Sequence, residues 1–286
     1  MRLLVTADLH FNHPRSRALA EDLIEQMNAV GGDVLLLVGD TAHADGDTLE
    51  QALSRFTFRG PKLFVAGNHE LWTKGPDSYE IYTQTLPQRL AEVGWHWLEA
   101  EPFVADDLAI VGSVGWYDYA FAPAALGIPR RFYERKISPG AARQLEQHAD
   151  LFENADDIPP QSHEIFARWN DARFVKLGRP DEAFLDELLA RLEKQLQSQS
   201  GRRRIIAAVH HLPFAELLPP PHSGAWDFAK AYLGSPKLGD LLLRFPNVDT
   251  LFCGHSHRPA ETQVEHVHAI NIGSGYRSKT FRTIDI

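Results

Sequence analysis

The heptapeptide Val34-Leu35-Leu36-Leu37-Val38-Gly39-Asp40 decides the fold. Five aliphatic residues in a row show no polar alternation, which is the pattern of a short strand buried on both faces. A strand covered on both sides needs further layers around it, so an α/β architecture is expected. The run stops at Gly39, and a carboxylate, Asp40, follows at once.

Outward from this stretch the same grammar recurs four times. Leu3–His10 (LLVTADLH) ends in Asp8 and His10, and Leu63–Glu70 (LFVAGNHE) ends in Asn68, His69 and Glu70. Ile205–His211 (IIAAVHH) ends in His210 and His211, and Leu251–His257 (LFCGHSH) ends in His255 and His257. Strands are therefore expected at 2–6, 34–38, 62–66, 108–114, 205–209 and 250–253, with short strands over 261–286 broken at Gly273 and Gly275. Helical spacing places Leu19, Leu23, Ile24 and Met27 on one face over 15–29. It does the same for Phe184, Leu185, Leu188, Leu189 and Leu192 over 181–198. Between 116 and 180 aromatics, Arg and Pro mix with weak periodicity. A helix is expected at 139–154, stopped by Pro159 and Pro160. The chain reads as one domain, 1–286, with a largely helical insertion at about 116–180 placed to cover a site.

Composition narrows the function. The chain has 286 residues, 38 Asp+Glu against 29 Lys+Arg, a net charge of −9 and 44% hydrophobic residues. Global disorder is excluded, and broad duplex binding, which needs a basic stripe, is disfavoured. The lone Cys253 cannot form an internal disulfide. No run approaches the ~20 apolar residues of a membrane span, and the opening MRLLVTADLH is too short for a secretory core, so a cytoplasmic protein without a membrane partner is expected.

In open α/β sheets ligands gather at the carboxyl ends of the strands. If the five strands share a sheet, their motifs converge at one edge. Pleat alternation would then aim Asp8 with His10 and His255 with His257, and Gly39, Gly67 and Gly254 would let the backbone turn. Seven groups result: Asp8, His10, Asp40, Asn68, His210, His255 and His257. That exceeds one tetrahedral zinc and suits two divalent ions. With no thiolate among them, the oxygen and imidazole donors favour Mn²⁺, Fe, Zn²⁺, Co²⁺ or Ni²⁺ over Ca²⁺, and Mn²⁺ is the expected metal.

The ordered string DxH, GD, GNHE, HH, GHSH resembles that of the calcineurin-like metallophosphoesterases, and the resemblance runs from Asp8 to His257. It implies a four-layer sandwich of two mixed β-sheets flanked by helices, with a dinuclear centre at one edge. By the same resemblance Asp8, His10 and His257 bind the first metal, Asp40 bridges, and Asn68, His210 and His255 bind the second. His69 matches the family's catalytic histidine. His210 is preferred to His211 because the family ligand stands first in HHxP strings. The implied activity is hydrolysis of a small phosphorylated substrate by a metal-bridging hydroxide, a phosphodiester being favoured and nucleotide-type substrates included. One departure stands out. Protein phosphatases of the superfamily carry GDxxDRG, whereas this chain reads Gly39-Asp40-Thr41-Ala42-His43-Ala44-Asp45, so the carboxylate that would support the catalytic histidine is replaced by His43.

Two other readings compete. A nuclease could stack bases on Trp116, Tyr117, Tyr119, Phe132 and Tyr133, with Arg130 and Arg131 nearby; the favoured account is that these residues hold the insertion together. A non-catalytic scaffold on the same fold is the second. Trp169-Asn170-Asp171 and Arg173 are read as helix cap and gap filler rather than leaving-group contacts, and Glu70 as a structural partner rather than a ligand. The residues leave the physiological substrate and the oligomeric state open.

Overall fold

In the computed structural model, which describes residues 1–75 and 77–286, two sheets face each other. The first has the order β11-β1-β2-β3-β4, formed by Arg282–Asp285, Arg2–Thr6, Val34–Val38, Lys62–Val65 and His96–Trp97. The second has the order β5-β6-β7-β8-β10-β9: Phe103–Ala105, Leu108–Ser113, Arg204–Val209, Val248–Cys253, Val267–Asn271 and Ala260–Val264. Central pairs are parallel, and β11, β5 and β9 add antiparallel edges.

Period-2 geometry sorts the apolar residues into layers. Leu3, Val5, Leu36, Val38 and Val65 of the first sheet meet Ile110, Ile206, Ala208, Phe252 and Ile270 of the second in a dry inner core. The intervening residues, such as Leu4, Leu35, Leu37 and Phe64, or Val111, Ala207 and Leu251, face outward and are covered by other apolar side chains. Those covering residues include Leu23, Ile24 and Met27 of helix Pro14–Val30 and Phe184, Leu188 and Leu192 of helix Asp181–Ser198. This explains why Val34–Val38 shows no polar alternation: both of its faces are interior. The layers run helix, sheet, sheet, helix.

The structure corrects several expectations. The five motif-bearing strands do not share a sheet; β1, β2 and β3 belong to one and β7 and β8 to the other. Leu19 is exposed and Ala20 takes its place on the buried face, while Leu189 is only half-buried. Residues 139–154 form no single helix. A turn of α-helix, Pro139–Ala142, is followed by a separate 3-10 stretch, Glu146–Phe152, whose His148 is not helical. Strands β4 and β5, of two and three residues, are too short to carry a periodic signal. Segment 116–180 holds short helical pieces, among them Arg130–Glu134 and Asp171–Phe174. Trp116, Tyr117, Tyr119, Phe132 and Tyr133 are buried within it, so they are not a stacking surface for bases. Arg131 is committed to Asp157 through two hydrogen bonds of 2.6 Å. No helix among the described residues is long and apolar enough to cross a membrane.

Candidate metal centre

All five motifs meet at one edge of the sandwich, where the carboxyl ends of β1, β2, β3, β7 and β8 lie together. Pleat alternation does not aim them. Strands β1 and β8 end at Thr6 and Cys253, and the side chains beyond are placed by left-handed backbone: φ is 54° at Asp8, 44° at His10, 54° at Asp40, 68° at His255 and 55° at His257. Each such non-glycine residue costs about 1–2 kcal/mol, and strain of this kind clusters at functional sites. The loops hold one another in that state: Asp8 N–H donates to Gly39 O at 2.9 Å and His10 N–H to Asp40 O at 2.8 Å. Glu70 closes the arrangement. Its carboxylate accepts the backbone N–H groups of Asp40 (2.9 Å), Thr41 (2.6 Å), Ala42 (3.1 Å) and Gly67 (2.6 Å). The structural reading of Glu70 agrees with this arrangement.

The glycines serve two purposes. Gly39 has φ 82° and is a true turn residue. Gly67 and Gly254 have no positive φ; they are small because the site is crowded. A Cβ at Gly67 would overlap the Asp40 carboxylate, and one at Gly254 would stand 2.5 Å from Asp8 Oδ2.

Two donor clusters share Asp40. Asp8, His10, Asp40 and His257 present donor atoms all within 4.8 Å of one another, and so do Asp40, His210 and His255. Asp40 Oδ2 lies 3.7 Å from His10 Nε2, and Asp40 Oδ1 lies 3.3 Å from His210 Nε2. The second shell fixes the tautomers of the second cluster. His210 Nδ1 donates to Val38 O at 2.9 Å, which leaves its Nε2 lone pair facing inward, and His255 Nε2 donates to Tyr232 O at 3.1 Å, which leaves Nδ1. Those two lone-pair nitrogens stand 3.2 Å apart. In the first cluster His10 Nε2 and His257 Nε2 are 2.9 Å apart. Facing imidazole nitrogens flanked by carboxylates are stable with a cation or proton between them. Burial opposes charge on His210, yet Asp40 and then Asp8 raise it to about 9. The donor set therefore fits a divalent cation in each cluster.

Asn68 lines the same cleft as Asp40 and His255. Its Oδ1 is buried with no hydrogen-bond partner, while its Nδ2 donates to Asp171 Oδ1 at 2.9 Å. Asn170 does take the N-cap position of the helix Asp171–Phe174, and Asp171, its first residue, has a further part. It is buried and accepts four side-chain donors: Asn68 Nδ2, Trp72 Nε1 (2.6 Å), Tyr117 Oη (3.0 Å) and Trp169 Nε1 (2.8 Å). Segment 116–180 thus reaches the site and holds the amide nitrogen of Asn68, which leaves the amide oxygen without a protein donor among the described residues. Burial raises the Asp171 carboxyl, while the hydrogen bonds from Asn68, Trp72 and Trp169 hold it down.

His69 stands beside the clusters, its Nε2 3.9 Å from Asp40 Oδ2. Its ring stacks on Trp72 at 3.7 Å, and its Nδ1 is unpartnered. His43 lies 5.8 Å away, centroid to centroid, and hydrogen-bonds Asn12 instead. The ring of His69 packs flat on Trp72 instead, at an interplanar angle of 21°. Burial lowers His69 to about 4, so the ring is neutral at pH 7. His211 packs against His255, ring centroids 4.2 Å apart, and donates through Nδ1 to Val114 O at 2.9 Å.

A cleft of about 230 Å³ opens above Asp40, Asn68, His69 and His255, walled by Trp72, Trp169 and Trp226. Asn12, His13, His43 and Tyr276 line its outer continuation. Tyr276 stacks on His10 at 4.4 Å, and Lys279 Nζ donates to Asp8 O at 2.6 Å. Tyr276, Lys279 and Trp226 carry no motif signal; only the fold brings them here. Phe11 is buried away from the cleft, and His266 and His268 serve surface contacts with Phe245 O and Glu261.

Comparison with known proteins places this geometry. Among solved structures the chain is similar to a phosphopantetheinyl hydrolase from Mycobacterium tuberculosis, with a TM-score of 0.67, 21% identity, and 96% of this chain and 89% of the other covered. It is also similar to a dimetal phosphatase from Danio rerio, with a TM-score of 0.53, 15% identity, and 99% and 91% covered. At these identities the likeness establishes the fold. No match is found among curated proteins. The family described as calcineurin-like phosphoesterase matches residues 1–259, and the chain belongs to that family of phosphoester hydrolases.

Proposed function

We propose that the chain is a dinuclear metal-dependent phosphoesterase acting on a small phosphodiester, with nucleotide-type substrates favoured and Mn²⁺ as the working metal. One observation carries the reading: the two oxygens of Asp40 face two different donor clusters, Oδ2 toward His10 and Oδ1 toward His210. Asp8, His10, Asp40 and His257 would hold one ion, and Asp40, Asn68, His210 and His255 the other. When bound, two divalent ions acidify a water and neutralise phosphoryl oxygens in an in-line displacement.

The protein's own part is positioning. Glu70 fixes the loop that carries Asp40, and Asp171 fixes the amide of Asn68. His69, neutral and stacked on Trp72, offers a ring N–H to a phosphoryl or leaving-group oxygen as a hydrogen-bond donor. This differs from a histidine that titrates near neutrality and stores a proton. Trp72, Trp169 and Trp226 wall the cleft and narrow the path of bulk water. The burial of the insertion's aromatics removes their support for the nuclease alternative, and the full donor set speaks against a scaffold.

The test is direct. Dialysis against chelator should abolish hydrolysis of bis(p-nitrophenyl) phosphate, and Mn²⁺ should restore it. Asp40→Asn should lose about a thousandfold or more in kcat/KM, consistent with removal of preorganised electrostatics at both ions. Near wild-type turnover by that variant would overturn the reading.

A further inference from the structure

We propose that the outer half of the cleft is a subsite for a second anionic group, so that the preferred substrate is a nucleotide-type phosphate ester carrying another phosphate beyond the scissile one; this rests on the phosphoesterase reading above. The outer lobe has a volume of about 670 Å³ and shares His69, Trp72, His257 and Tyr276 with the inner lobe, so the two are continuous. Three arginines line it: Arg15, Arg258 and Arg277.

Charge sets this lobe apart. The chain has 38 acidic residues against 29 basic ones, yet among the described residues no Asp or Glu lines the outer lobe. Among the described residues none of the three arginines forms a salt bridge. Twelve arginines elsewhere do, as in Arg131–Asp157, Arg179–Glu187 and Arg204–Asp249, and six others do not, so what distinguishes these three is that they share one cavity. Single exposed arginines are ordinary. Three that converge on one cavity without a counterion, beside a candidate metal centre, form a local positive field in an acidic protein.

Their tethering is short. Arg258 follows His257 directly, and Arg277 follows Tyr276, whose ring stacks on His10. Arg15 sits in the first turn of helix Pro14–Val30, a turn with no acidic residue to offset the helix's positive end. Guanidinium forks match phosphate oxygens in bidentate geometry, which a single lysine does not. Half-exposed Trp226, which lines both lobes, and Trp169 of the inner lobe offer flat apolar surface for a planar group such as a base. A substrate with a planar body and a second phosphate would use both the indoles and the arginines, with its scissile phosphate over Asp40.

The test compares ligands that differ by one phosphate on the Mn²⁺-loaded full-length protein. Thymidine 5′-monophosphate is set against thymidine 3′,5′-bisphosphate, and adenosine 5′-monophosphate against adenosine 5′-diphosphate, by calorimetry and by competition with bis(p-nitrophenyl) phosphate hydrolysis. At least one doubly phosphorylated ligand should bind about tenfold or more tighter than its partner. In the double variant Arg258→Gln, Arg277→Gln that ratio should fall below about threefold, while Arg203→Gln, on a distant exposed loop, should keep it. A ratio below about threefold for both pairs in the wild type, or a ratio that survives in the double variant, overturns the subsite. The calorimetric ratio is read whether or not the diester is hydrolysed. Failure of the phosphoesterase reading, seen as no Mn²⁺-dependent hydrolysis, is therefore distinct from failure of the subsite.

Discussion

Glu70 and Asp171 are both buried carboxylates, and each gathers four hydrogen bonds beside the same donor clusters. Their donors differ in kind. Glu70 collects backbone N–H groups from the two loops that follow β2 and β3, and so holds the chain itself. Asp171 collects side-chain donors from Asn68, Trp72, Tyr117 and Trp169, the first of them 103 residues away. The strand-end region fixes where the backbone goes. The 116–180 segment fixes which way one amide and two indoles point. Loss of a backbone hub should unmake the site, whereas loss of a side-chain hub should detune it.

Substitutions that break this contrast can be ranked. Glu70→Ala leaves four buried N–H groups without an acceptor; at about 1–3 kcal/mol for each unsatisfied group, thermal unfolding should show a loss of several kcal/mol together with loss of both metal sites. Asp171→Asn keeps the shape of the hub but replaces an acceptor oxygen by an amino group. The fold should survive, and metal affinity should drop about 10–100-fold, the usual effect of removing an outer-shell partner. Competition with a fluorescent chelator measures this, and the drop should be confined to one of two binding steps. Equal losses at both steps would erase the distinction between the two hubs. Trp72→Phe is the mildest. It removes one donor to Asp171 while retaining a ring beneath His69, so turnover should fall less than about tenfold, in keeping with a single hydrogen bond of roughly 1 kcal/mol. A fall as deep as that of a His69→Ala variant would show that the indole N–H, rather than the stacking, orients His69.

The same contrast explains what was legible in the sequence. Each strand-end candidate ligand lies within a few residues of an aliphatic run, so the run announces the strand and the next polar residue announces the site. Asp8, His10, Asp40, Asn68, His210, His255 and His257 all came from that rule, and the structure brings them together. Left-handed backbone at five of these positions, rather than strand pleating, aims the side chains. Nothing in a period-2 pattern reports that. Asp171 follows no strand and ends no apolar run, so local patterning assigns it to a helix cap; its four partners lie in three separate stretches of chain. Arg15, Arg258 and Arg277 became a group only once the loops were folded. The strands β4 and β5 were missed for a simpler reason, since two or three residues hold no period.

Asp40 is proposed to serve two cations at once. Elemental analysis of protein reconstituted with excess Mn²⁺ and then desalted, run beside Asp40→Asn prepared identically, measures that most directly. Two manganese per chain in the wild type and fewer than one in the variant is the predicted outcome. One ion or none in the wild type, or two retained by the variant, would contradict it.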